Sequence, residues 1–106
     1  MFAVSDVLVR IKRAVLAGRY IFSEKALDEL EADGITELDV CESILNAAAI
    51  YKTLRSRIAR RSRRRERLYV IQSTNLSGLF IYTKGKLVSQ AGIDRYYFLI
   101  SSKRSV

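Results

Sequence analysis

LYVIQSTNLSGLFIYTKGKLV, Leu68 to Val88, is the stretch on which the fold turns. Leu68, Tyr69, Val70 and Ile71 are β-branched, aromatic or aliphatic, the composition of a strand over Leu68–Gln72. Ser73 to Gly78, Ser-Thr-Asn-Leu-Ser-Gly, is a turn by composition, because short polar side chains and glycine favour tight reversals. Leu79 to Val88 resumes as a longer strand, with Gly85 as a break. Beyond it, Ala91 to Asp94 reads as a second turn and Arg95 to Ser102 as the last strand. Three consecutive strands with short loops predict an antiparallel meander. Ala49 to Leu54, upstream, reads as a further strand or as a transition into the basic segment that follows.

Before this point the spacing of apolar residues is helical. Ser5 is positioned to cap a helix running to Leu16, with Val7, Leu8, Ile11, Ala14 and Val15 on one stripe. Gly18 is a natural stop. Tyr20-Ile21-Phe22 is long enough only for an extended link or edge strand. Ser23 reads as the N-cap of a second helix, with Glu24 in its first turn and Ala26, Leu27 and Leu30 as the buried stripe. Gly34 ends that helix. Thr36 opens a third, with Asp39 three residues on as a weak capping-box match, and Leu38, Cys41, Ile44 and Leu45 facing the core. Helices first and strands later predict an α+β domain over residues 1–106, with the helices packed on one face of a C-terminal antiparallel sheet of three or more strands.

The 106 residues suffice for one modest core, and a hydrophobic content of 49% argues against a disordered chain despite a net charge of +8. That charge is unevenly placed. Glu24 to Glu42 holds eight acids against one lysine, whereas Ser43 onward holds fourteen bases against Glu66 and Asp94. One layer of the fold is expected to be acidic and the other strongly basic. The densest charge is a run of eight arginines, Arg55, Arg57, Arg60, Arg61, Arg63, Arg64, Arg65 and Arg67, offset only by Glu66. Such a run adds nothing to a core, and its self-repulsion is most easily relieved by a polyanion. Nucleic acid is the first candidate, since each neutralised phosphate releases counterions. A solvated loop that only adds solubility is the plain alternative.

Several chemistries are excluded by composition. There is no histidine, so no imidazole acid–base pair exists. Cys41 is alone, which rules out an intramolecular disulfide and fits a reducing cytoplasm. It reads as a buried, inert thiol. No convincing metal set exists. Glu24, Asp28 and Glu31 share a helix face at spacings that suit an ordinary solvated surface equally well. No apolar run approaches ~20 residues, so no membrane crossing is expected, and no secretory leader is evident.

Lysine, arginine and tyrosine on the sheet remain. Such a set can cleave RNA without a metal or other cofactor. A base takes the 2′-hydroxyl proton, the oxygen attacks the adjacent phosphate, cations stabilise the developing charge, and an acid protonates the leaving 5′-oxygen. Lysine or tyrosine serves as acid or base only where neighbouring positive charge lowers its pKa, as a dense basic surface does. Tyr82 and Lys84, two apart on one strand, share a face. Lys103 and Arg104 end the last strand, and Lys52 precedes the arginine run. The plainer readings are a half-buried sheet aromatic for Tyr82 and solvated strand ends for Lys84 and Lys103.

Several stretches together resemble the MqsR-type mRNA interferase toxins of bacterial type II toxin–antitoxin systems, which share a small RelE-like fold. They are Val9-Arg10-Ile11 through Ala17-Gly18-Arg19, Phe22-Ser23-Glu24-Lys25-Ala26-Leu27, Gly34-Ile35 with Asp39-Val40-Cys41, Tyr51-Lys52-Thr53-Leu54, Leu68-Tyr69-Val70-Ile71, Gly78 through Ile81-Tyr82-Thr83-Lys84, and Ile100-Ser101-Ser102-Lys103. The similarity runs in order along nearly the whole chain, and order and spacing carry it. The resemblance implies a metal-independent endoribonuclease acting on mRNA, with Lys52, Tyr82 and Lys103 in the family's functional lysine, tyrosine and lysine positions. Lys84 is a further base on the same strand. It also implies a cognate antitoxin that binds DNA, for instance through a helix-turn-helix. Just before the Leu68 strand, where the family has a functional glutamine, stands Glu66, a carboxylate that would repel phosphate. The connection from Lys84 to Ile100 is longer than in the best-known members, and the arginine run is more basic.

The preferred expectation is thus a ribonuclease toxin, with Lys52, Tyr82, Lys84 and Lys103 as catalytic residues and the arginines, with Arg104, as the RNA grip. A non-catalytic RNA- or DNA-binding module fits the same basic surface. A basic subunit docking an acidic protein partner is the third reading.

Overall fold

Two helices start on side-chain caps, and two end on glycines whose turns satisfy the last carbonyls. The computed structural model describes residues 6–55 and 66–105. Helix α1, Asp6–Leu16, buries Leu8, Ile11, Ala14 and Val15; Ser5, the expected cap, lies outside the described residues. Its end is a Schellman closure. Gly18, at φ 75°, donates to the Val15 carbonyl and Arg19 donates to that of Ala14. Helix α2, Glu24–Ala32, begins on Ser23, whose Oγ accepts from the Ala26 amide at 3.0 Å. It closes in the same way, with Gly34 bonded to Glu31 and Ile35 to Leu30. Helix α3, Glu37–Asn46, has the full reciprocal box between Thr36 and Asp39. The weak sequence match is therefore a real cap, worth about 1 kcal/mol.

Five strands form one mixed sheet in the order β1-β5-β4-β3-β2. They are β1, Tyr20–Phe22; β2, Lys52–Arg55; β3, Arg67–Thr74; β4, Phe80–Gln90; and β5, Ile93–Arg104. The expected meander is β3-β4-β5, and β2 extends it antiparallel on one side. Tyr20-Ile21-Phe22 is the edge strand β1, parallel to β5. All three helices contribute to one core with Ile71, Ile81, Tyr97 and Leu99, and so they cover one face of the sheet. The fold is α+β.

Several details differ from the expectations. Gly85 does not end β4, which runs on to Gln90, but its pairing with β5 shifts register between Lys84 and Gly85 and again between Val88 and Ser89. A Cβ there would stand 2.6 Å from Tyr97 Cζ and 2.7 Å from the Phe98 carbonyl oxygen. The glycine makes room for a buried tyrosine. The second turn is only Ala91-Gly92, both at positive φ, which is the two-residue hairpin loop that matches strand twist. On α3 the inward residues are Val40, Cys41, Ser43 and Ile44, whereas Leu38 is 66% exposed and Leu45 is at the surface. Ser43 can face inward because its Oγ donates to the Ser73 carbonyl at 3.0 Å. Leu27 on α2 is likewise exposed, its stripe being Ala26 and Leu30. Among the described residues, no helix is long and apolar enough to cross a membrane.

Candidate functional site

The face of the sheet turned away from the helices is defined by register. Ile71, Thr83 and Ser102 lie in one row across β3, β4 and β5. That row faces the helices: Ile71 is in the core, and Ser102 Oγ donates to the Ala26 carbonyl of α2. Side chains alternate along β3 and β4, so the rows on either side face away there; on β5 a shift of register beside Lys84 breaks the alternation, and Ser101 turns to α2. One of them is Lys52, Val70 and Lys84, and the other is Gln72, Tyr82 and Lys103.

Lys52, Lys84, Tyr82 and Lys103 are therefore brought together on one face, from three strands and far apart in sequence. With strands about 4.8 Å apart and same-face residues about 6.8 Å apart along a strand, the four lie within about 10 Å of their nearest neighbours in the group. Lys103 Nζ sits 5.4 Å from the centroid of the Tyr82 ring, a cation–π contact. Val70, between the two lysines of its row, is 2% exposed, so the side chains around it close over it. Lys52 and Lys103 are exposed, whereas Tyr82 and Lys84 are half-buried.

Gln72 was missed in the sequence. It lies opposite Tyr82 on the same face, and its Oε1 accepts from Ser105 Oγ at 3.2 Å. The signal was the two-residue alternation of β3, which sends Tyr69 and Ile71 one way and Val70 and Gln72 the other. Glu66 pairs with Lys86 at 3.2 Å. Lys86 is a further cation on this face, two residues beyond Lys84.

The described arginines do not join this group. Arg55 and Arg67 oppose each other at the end of the β2–β3 ladder, in the parity of Thr53 and Tyr69, the helix side. Arg104 pairs with Ile81, a core residue, and its amide donates to Asp33 Oδ2 at 2.8 Å. Arg57, Arg60, Arg61, Arg63, Arg64 and Arg65 lie outside the described residues. The acids are not a free layer either. On α2, Glu29 accepts from Ser101 Oγ at 2.7 Å and from the Ser102 amide, so it stitches the helix to the end of β5. Asp39 is held below the usual carboxylate range by the Thr36 amide, helped by the Asn75 side chain.

Cys41 is 7% exposed, and burial pushes its thiol up, which suits an inert core residue. Among the described residues, no three side chains of His, Cys, Asp or Glu are grouped to hold a metal ion. No family model matches this chain, and neither a curated protein nor a solved structure is significantly similar to it.

Proposed function

We propose that this protein is an endoribonuclease toxin that cleaves mRNA without a metal, on the helix-free face of its sheet. The observation that carries this reading is the convergence of Lys52, Tyr82, Lys84 and Lys103 through strand register. A tyrosine flanked by lysines on an open face offers both proton transfer and phosphate contact. In the reaction, one side chain takes the proton of the 2′-hydroxyl and O2′ forms a bond to phosphorus. The P–O5′ bond breaks, and a second side chain protonates the 5′-oxygen, leaving a 2′,3′-cyclic phosphate. Lysine ammonium groups hold the phosphoryl oxygens as charge develops on them. Gln72 adds a neutral hydrogen-bonding group beside Tyr82. The arginine run supplies sequence-independent grip on the RNA backbone. The site of action is the cytoplasm, and the natural inhibitor is a cognate DNA-binding antitoxin.

The test is incubation of the purified, antitoxin-free protein with mRNA in excess chelator, with the new ends mapped. Defined cuts bearing cyclic phosphate are expected, and they should vanish in the Tyr82→Phe, Lys103→Ala double variant. Binding without any cleavage would sink the catalytic reading and leave an RNA-binding module in its place. For the antitoxin, expression alone should arrest growth, and co-expression of a neighbouring open reading frame should restore it.

A further inference from the structure

The helix-free face continues along β4 past Lys84. Pairing of β3 with β4 ends at Tyr69 opposite Gly85, while β4 and β5 run on together to the Ala91-Gly92 turn. The step left where β3 stops is an open cleft of about 610 Å³. Its lining includes Lys86, Tyr96 and Phe98 from the β4–β5 arm, Glu66, Arg67 and Tyr69 from the start of β3, and Arg10 of α1, so the cleft reaches past the step to the helix side. Lys86 lies opposite Phe98 and Val88 opposite Tyr96, in the same parity as Tyr82 and Lys84. Lys86 Nζ is 5.9 Å from the centroid of the Phe98 ring and is also bonded to Glu66.

We propose that this cleft is a nucleobase subsite, taking one unpaired base of the RNA strand whose scissile phosphate sits at Tyr82. The proposal rests on the RNA-cleaving reading and adds to it where the strand runs. Half-buried aromatic rings beside cations suit a flat base carried on a phosphate backbone, since stacking needs a π-face and the phosphate needs positive charge. Phe98 and Tyr96 supply the rings; Lys86 supplies the charge on their face, and Arg67 borders the cleft from the helix side. An acidic peptide would use the cations and leave the rings unused. The six-residue step from Tyr82 to Val88 spans about 20 Å along β4, so both places are within reach of one short oligonucleotide. Lys86 covers the Phe98 ring in the free protein and moves onto phosphate when the base stacks there.

The experiment uses the full chain and an RNA decamer with every 2′-hydroxyl methylated, which binds but cannot be cut. Each base is removed in turn to leave an abasic site. One position should lose about 10-fold in affinity on the wild-type protein, and Phe98→Leu should lose a similar factor on the intact decamer. The two losses should not add, because they remove the same stack. A photoreactive 5-iodouridine at that position should crosslink to Phe98 or Tyr96; this readout needs no variant to fold. If no abasic position matters, or crosslinks form elsewhere, the subsite is wrong, while chelator-resistant cleavage by the wild type keeps the catalytic reading intact. If Phe98→Leu leaves RNA binding unchanged but loses the antitoxin, the cleft is a protein-docking surface and the proposal is overturned. If the wild type neither binds nor cuts RNA, both readings fail together.

Discussion

Gly85 and Tyr97 show how one small residue makes a core possible. Tyr97 is fully buried, and its hydroxyl has no hydrogen-bond partner. Burial pushes its phenol far above the usual tyrosine range. The ring fits only because Gly85, across the strand pair, has no Cβ. Gly85→Ala is expected to lose about 3 kcal/mol in urea unfolding, since one neighbour in the way is the Phe98 backbone and cannot swing aside. Tyr97→Phe is expected to gain about 1 kcal/mol by removing an unsatisfied buried hydroxyl; a loss of stability would mean that the hydroxyl has a partner. In the sequence Gly85 reads as punctuation, because a glycine required for space looks the same as one required for torsion. The same limit applies to Tyr82, where strand alternation predicts its face but not the lysine over its ring.

At the scale of elements, the β4–β5 hairpin carries two testable features. Ala91 sits at φ 52°, a region that costs a residue with a Cβ roughly 1 kcal/mol. Ala91→Asn should raise the urea midpoint by an amount equivalent to about 0.5–1 kcal/mol, as asparagine tolerates that conformation in a two-residue loop. The turn end of the hairpin is tied to α1 by Arg10, whose guanidinium makes two bonds to Asp94 at 2.8 and 2.7 Å. The Arg10 guanidinium, helped by the Ser89 hydroxyl, holds the Asp94 carboxyl at about 2, below its ordinary 3.8. The folded state thus favours the charged form. The stabilisation from this pair is present above the unfolded value of 3.8 and is lost as pH falls through about 2. Asp94→Asn should lower stability at neutral pH and flatten the decline over that acid window, as followed by urea unfolding across pH. An unchanged acid limb would show that the pair contributes nothing. The Ser23 and Thr36 caps and most strand positions were legible because capping and alternation are local rules. Arg10 with Asp94 was not, because 84 residues separate them and only the packing of α1 on β5 brings them together.

At the scale of the whole molecule, the acids and a group of lysines are gathered on opposite layers, with Arg55, Arg67 and Arg104 on the helix side. Helices α2 and α3 carry the acids, and the opposite sheet face carries Lys52, Lys84, Lys86 and Lys103. For RNA bound to that face, each lost phosphate contact should reduce the slope of log affinity against log salt by about 0.7. Replacing Lys52, Lys84 and Lys103 together by glutamine should lower the slope by about 2 and abolish cleavage. Replacing Arg60, Arg61, Arg63 and Arg64 should lower it by up to about 3 while leaving cleavage at saturating RNA largely intact. Loss of that saturated cleavage would place the arginines in the chemistry itself, although arginine is too basic to exchange protons near neutral pH.

By itself the amino-acid sequence determined the class of fold, the starts of α2 and α3, the glycine stops of α1 and α2, the meander and the identity of the basic and aromatic residues available for chemistry. These follow from periodicity, capping and composition, which act over a few neighbouring residues. Only the tertiary structure decided which of those residues meet. Strand register joins Lys52, Tyr82, Lys84 and Lys103, adds Gln72 and Lys86, and turns Arg55, Arg67 and Arg104 toward the other side. A one-residue change of register reverses the face of a side chain, and register is set by the packing of distant elements on a shared core.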